Sequence, residues 1–140
     1  MASALYNSFK KKIMDGSIDL DTDTIKVALT TSTYSPSIDN HTWFSDITNE
    51  VTGVSYSAGG VALANKSVTI DNTNDWAYWD ADDTSWTTAT ITARYAIIYK
   101  STGVAATSPL IGYIDFATDK LADGGTFLIT WSATGIIKLT

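Results

Sequence analysis

The chain has 140 residues, 44% of them hydrophobic and 11% aromatic, which excludes a disordered tail and fits one domain with a single core. Charged residues make up only 17%, and 22 threonines with 14 serines, about a quarter of the chain, take their place. Nine basic against fifteen acidic residues give a net charge of -6, the wrong sign for a nucleic-acid-binding module.

No apolar run is long enough to form a membrane span. Residues 1–16 place Lys10, Lys11 and Lys12 after the apolar positions, the reverse of a signal peptide. The absence of cysteine removes disulfides, thiolate metal sites and cysteine nucleophiles. A lone histidine, His41, and a lone glutamate, Glu50, leave little material for catalysis.

In chain order, Leu5, Phe9 and Ile13 recur every fourth residue and predict an N-terminal helix over about 2–15, with Ser3 as its cap. Gly16 closes it and the three lysines suit its C-terminal dipole. Ile25, Val27 and Leu29 alternate with Lys26, Ala28 and Thr30 as a half-buried strand. Phe44, Ile47 and Val51 behind Asp39 or Asn40 predict one further short helix within 41–51. Beyond Gly53 the pattern is strand. Val61 and Leu63 share one parity, Val68 and Ile70 the other, so the phase flips near Asn65-Lys66 through a bulge or a break. Trp76 to Trp79 is a short aromatic strand, and Ala89 to Lys100 is the longest, with Ile91, Ala93, Tyr95, Ile97 and Tyr99 on one face and Ala96 and Ile98 on the other. Leu110 to Phe116, Thr126 to Trp131 and Ile136 to Leu139 complete the set, with Gly124-Gly125 as a turn. Seven or eight short strands without internal repeat or linker predict a mainly β, antiparallel sandwich over about 24–140, jelly-roll-like, within a single domain spanning 1–140.

Several constellations bear on chemistry. Asp71, Thr73, Asp75 and Asp82 follow the spacing of a calcium loop, but Trp76 stands where a glycine is required and the closing glutamate is missing, so ordinary turn residues are the simpler reading. Asp19, Asp21 and Asp23 read as a charged strand edge rather than a metal site. Asp80, Asp82, Asp83 and Asp115 are available to paired-carboxylate hydrolysis, with nothing selecting a pair. No nucleophile elbow or phosphate loop occurs, and His41 reads as a surface or capping residue. The expected catalytic, cofactor and metal sets are therefore empty. Trp76, Tyr78, Trp79 and Trp86 form the densest aromatic stretch: a sugar-stacking platform if Trp76 and Tyr78 share an exposed face, core or subunit interface otherwise.

Across its whole length the chain resembles small structural proteins of tailed-phage virions. The resemblance runs through Ala4-Leu5-Tyr6-Asn7-Ser8-Phe9-Lys10, residues 21–29, Thr48-Asn49-Glu50-Val51-Thr52-Gly53 and Tyr56-Ser57-Ala58-Gly59-Gly60. It continues through residues 80–86, Ala93-Arg94-Tyr95-Ala96-Ile97-Ile98-Tyr99-Lys100 and residues 109–116. It implies a capsid cement, or decoration, protein on the outer surface of the head. Such a protein forms homodimers or homotrimers, clamps the major capsid protein, and has no enzymatic activity, nucleic acid or membrane partner. The alternatives are a tail or head-tail junction component and, in a different class, a carbohydrate-binding β-sandwich module. Candidate interface residues are Leu5, Phe9, Lys10, Lys11 and Lys12 on the helix, unless its stripe covers one end of the sandwich, and Trp76, Tyr78 and Trp79.

Overall fold

A computed structural model describes residues 3–140 and forms an antiparallel sandwich of two sheets. The larger sheet is ordered β1-β7-β6-β2-β3, from β1 (Ala4–Leu5), β7 (Leu110–Ile129), β6 (Thr84–Lys100), β2 (Ile25–Thr30) and β3 (Val61–Ala62). The smaller is β4-β5-β8, from β4 (Ser67–Asp71), β5 (Trp76–Asp80) and β8 (Ile137–Leu139). β4 with β5, and β6 with β7, pair as hairpins within their own sheets. The predicted break near Asn65-Lys66 is the point where the chain leaves one sheet for the other, with Asn65 in the left-handed region at φ 50°.

The N-terminal helix is shorter than its periodicity predicts. Ala2 lies outside the described residues; Ala4 and Leu5 pair with Tyr113 and Gly112 as β1, and helix α1 covers only Asn7–Met14. Tyr6 decides this, because its extended backbone donates to the Ile111 carbonyl at 3.0 Å while its ring is fully buried. Ser3 does not cap the helix: its hydroxyl accepts the Asp115 amide. The far end follows expectation, with Gly16 at φ +78° and the Ser17 amide bonded back to the Lys12 carbonyl.

The helix expected in 41–51 shrinks to a single 3-10 turn, Phe44–Asp46. Its backbone is needed elsewhere: Asn49 turns at φ 56°, Glu50 bridges Thr30, and the Thr31 and Val51 amides bond to Asn49 and Leu29 carbonyls. Cross-strand pairing to β2 replaces helical bonds, and the residue at the start of the turn is Trp43, not Asp39 or Asn40, with the Thr42 and Trp43 amides donating to the Asp46 carboxylate.

The expected assignment of faces along β6 is overturned at Arg94. A register shift between Ala93 and Tyr95 sends Ile91 and Ala93 to the same core as Ala96 and Ile98, while Tyr95, Ile97 and Tyr99 pack on the opposite side. The first core lies between the sheets and includes Val27, Leu29, Ile111, Trp79 and Ile137. The second lies behind the larger sheet, where Tyr6, Tyr34, Ile38, Phe44 and Ile47 cover Ala28, Ile97, Tyr99 and Leu110. β6 is therefore apolar on both faces near its end, as a central strand must be. Gly124-Gly125 is likewise no turn. β7 runs through it unbroken, and Gly124 at φ +70° is the extra residue where the register shifts between Ala89, opposite Gly125, and Thr90, opposite Asp123.

At the shift near Ala93, Arg94 and Asp115 form a cross-strand ion pair of 2.7 Å, with the Asp115 side chain only 1% exposed. The guanidinium, aided by the Ala117 amide, holds the Asp115 carboxyl below its ordinary 3.8. A depressed folded-state pKa contributes stability above the unfolded value, lost as pH falls through the folded one. Arg94→Ala is expected to lower the melting temperature clearly at pH 7 and much less at pH 2, measured by calorimetry across that range. Gly60, at φ +72°, leaves no room for a side chain, since a Cβ would meet the Val27 carbonyl oxygen. Gly60→Ala is expected to cost about 2–4 kcal/mol in denaturant unfolding, against about 1 kcal/mol for Gly124→Ala, where the space is open.

Candidate functional site

The smaller sheet and the end of α1 form the two walls of an apolar groove. In β5, alternation sends Ala77 and Trp79 inward and Trp76, Tyr78 and Asp80 to the outer face. Trp79 is buried, and its indole N–H donates to the Leu20 carbonyl at 2.9 Å, pinning β5 to the connection after α1. Around that pin, Ile13, Ile18 and Leu20 face Val68, Ala77, Ile137 and Leu139 across a groove of about 350 Å³. The rim is unusually apolar for surface: Val68 is 56%, Ile70 71% and Leu139 61% exposed, and Met14 stands exposed at the end of α1.

The predicted interface residues fall into three groups. Phe9 and Trp79 belong to the inter-sheet core, and half-buried Leu5 packs against it, so the helical stripe covers one end of the sandwich. The lysines each have a local partner: Lys10 the Asn7 side chain, Lys11 the Asp15 carboxylate, and Lys12 the Trp43 ring at 4.6 Å. Trp76 and Tyr78 do share the outer face of the smaller sheet. Lys138 lies 3.8 Å above the Trp76 ring, and the turn at Gly135 presses so closely on Tyr78 that a Cβ there would come within 2.9 Å of it. Val68, Ile70 and Leu139, the most exposed apolar side chains of the smaller sheet, were not singled out from sequence as a surface. Their alternation is legible, but whether the face they share is covered is not.

Most of the candidate carboxylates are occupied in turns and pairs. Asp71 accepts the Thr73 and Asn74 amides and the Asn74 side chain, Asp19 the Asp21 and Thr22 amides, and Asp83 the Trp131 amide. Asp82 accepts from the Asn65 side chain, and Asp80 caps Ala81. Asp23 pairs with Lys100. Hydrogen bonds to these charged forms hold Asp19 and Asp71 below the ordinary carboxylate range, as for Asp115. None of these three is poised to deliver a proton at neutral pH. Among the described residues, no three His, Cys, Asp or Glu side chains are grouped to hold a metal ion.

Two polar networks escaped sequence reasoning. Glu50 accepts from the Tyr56 hydroxyl at 2.7 Å and from the Gly59 amide, while Tyr56 receives the Leu29 amide and Tyr99 donates to the Gly59 carbonyl. The sole glutamate thus straps residues 50–60 to β2 and β6. Behind the larger sheet, the Tyr6 and Tyr34 hydroxyls lie 3.0 Å apart and Tyr34 reaches His41 Nδ1 at 2.8 Å. The Ser37 amide also points at Nδ1, so that nitrogen accepts and the hydroxyl protons run from Tyr6 to Tyr34 to His41. Burial pushes the Tyr34 hydroxyl up to about 12 and Tyr6 further still. His41 is a strut in this network rather than a surface residue.

No family model, curated protein or solved structure matches the chain.

Tyr34→Phe removes the acceptor of the buried Tyr6 hydroxyl and is expected to cost about 1–3 kcal/mol in urea unfolding.

Proposed function

We propose that the protein is a structural component of a tailed-phage virion, a capsid cement that binds the outside of the head, associates with itself and bridges major capsid subunits. One observation supports this most: Val68, Ile70 and Leu139 leave an apolar rim open to water beside the groove under Trp79. Exposed apolar side chains gathered on one face, rather than scattered singly, are a common mark of a partner surface. Each of these side chains, already part-buried, stands to gain roughly 1–2 kcal/mol when its remaining exposed area is covered by another protein. The pattern resemblance supplies the kind of assembly, and the net charge of -6 favours the outside of a shell over a lumen packed with DNA. The mechanism is mass action: a copy that binds the mature lattice and not its precursor stabilises the mature form.

A second reading, a carbohydrate-binding module, draws on the placement of Trp76 and Tyr78 on one outer face beside Thr69 and Asp80. Lys138 above the Trp76 ring and the Gly135 turn against Tyr78 narrow that platform. Trp76→Ala separates the readings: lost glycan retention with unchanged assembly favours the module. A tail or head-tail junction position is distinguished by imaging labelled protein in purified particles.

Particles carrying the protein are expected to release their genome at a higher temperature than particles lacking it, followed by dye fluorescence during heating. Equal release temperatures overturn the cement reading.

A further inference from the structure

Among the described residues, β4 is the longest of the four strands that end the sheets; β7 also runs past β1 and β6 past β2, but those stretches belong to a hairpin broken by register shifts, whereas β4 pairs without one. β1 and β3 have two residues each and β8 three, lengths that offer little template to another chain. β4 has five, Ser67-Val68-Thr69-Ile70-Asp71, paired to β5 along one side. Along its other side no backbone partner lies among the described residues. It carries no proline, bulge or inward charge, the usual devices that blunt an edge. Both its apolar side chains, Val68 and Ile70, are more than half exposed and sit on the face that continues into the groove.

We infer that β4 is a self-association edge, and that its occupant is β4 of a second copy in antiparallel pairing about a two-fold axis through Thr69. The inference rests on the self-association in the reading above, though not on the virion.

The strand is close to palindromic about Thr69, as a two-fold interface requires. Directly opposed residues share a face. With the axis at Thr69, Val68 lies opposite Ile70 of the second copy on the apolar face, and Ser67 lies opposite Asp71, a hydroxyl donor against a carboxylate, on the polar face. Thr69 meets itself. Charge selects the direction: Lys66 precedes the strand and Asp71 ends it, so antiparallel pairing sets the basic end of one copy against the acidic end of the other. Parallel pairing would stack like charges. The product is a continuous six-stranded sheet whose apolar face joins the two grooves into one surface.

The absence of native cysteine makes the register directly readable. In Thr69→Cys the two thiols face each other at a Cα separation of about 4.5–5.5 Å, within disulfide range. In Ser67→Cys they are offset by four residues, about 13 Å, and do not bridge. Mild oxidation of the otherwise intact chain is expected to give a covalent dimer on a non-reducing gel for Thr69→Cys and not for Ser67→Cys. Sedimentation of the unmodified protein is expected to show a dimer that Ile70→Lys weakens by about tenfold or more. Ile70 is exposed, so this change spares the folded monomer, which circular dichroism checks. A dimer that survives Ile70→Lys and gives no Thr69→Cys bridge overturns the edge assignment while leaving self-association through another surface standing. Bridging through Val68→Cys instead overturns the register. A protein that stays monomeric overturns the inference, and the heating experiment on particles then judges the cement reading by itself.

Discussion

The anchoring of Trp79 holds the architecture together. A three-stranded sheet of short strands must close a face laid down by five strands, two of them 17 and 20 residues long. It does so by driving one large ring into the inter-sheet core and tying its N–H to Leu20. Burying an indole without a partner for its N–H would forfeit much of what the ring gains, so the bond and the burial belong together. The same bond orients the connection between α1 and β2, and thereby sets the far wall of the groove.

The mismatch in width has a consequence at the surface. Trp79 and Ile137 reach the core from the smaller sheet, whereas Val68, Ile70 and Leu139, on the same face of that sheet, overhang it and meet water. The apolar rim is what remains when a narrow sheet is placed by its centre. The back of the larger sheet avoids this outcome because residues 31–50 are long enough to wrap it, with the Tyr6–Tyr34–His41 chain satisfying the polar groups that the wrapping buries. One face of the molecule is thereby covered, and another leaves apolar side chains open to water.

Specificity within the larger sheet comes from irregularities rather than from regular pairing. The shift at Arg94 lets one strand serve two cores, and it is held by a nearly buried carboxylate beneath a guanidinium. The positive-φ glycines at 60 and 124 do related work, one where β2 passes too closely for any side chain and one where the β6–β7 pairing loses its register.

Alternation of period two was sufficient to place β2, β4, β5 and the end of β6, because strand side chains point to alternate faces whatever lies beyond them. Gly16 was legible for the same local reason, since a left-handed residue closes a helix through bonds to its own last turn. Where distant backbone competed, local pattern misled. Leu5 lies on a helical stripe yet pairs with Gly112, Phe44 and Ile47 sit at helical spacing yet roof a sheet, and Gly124-Gly125 resembles a turn inside an unbroken strand. The sequence by itself determined that the chain builds sheets and, within each stretch free of register shifts, which side chains share a face. Only the tertiary structure decided which faces are covered, because coverage depends on segments far apart in the chain meeting in space.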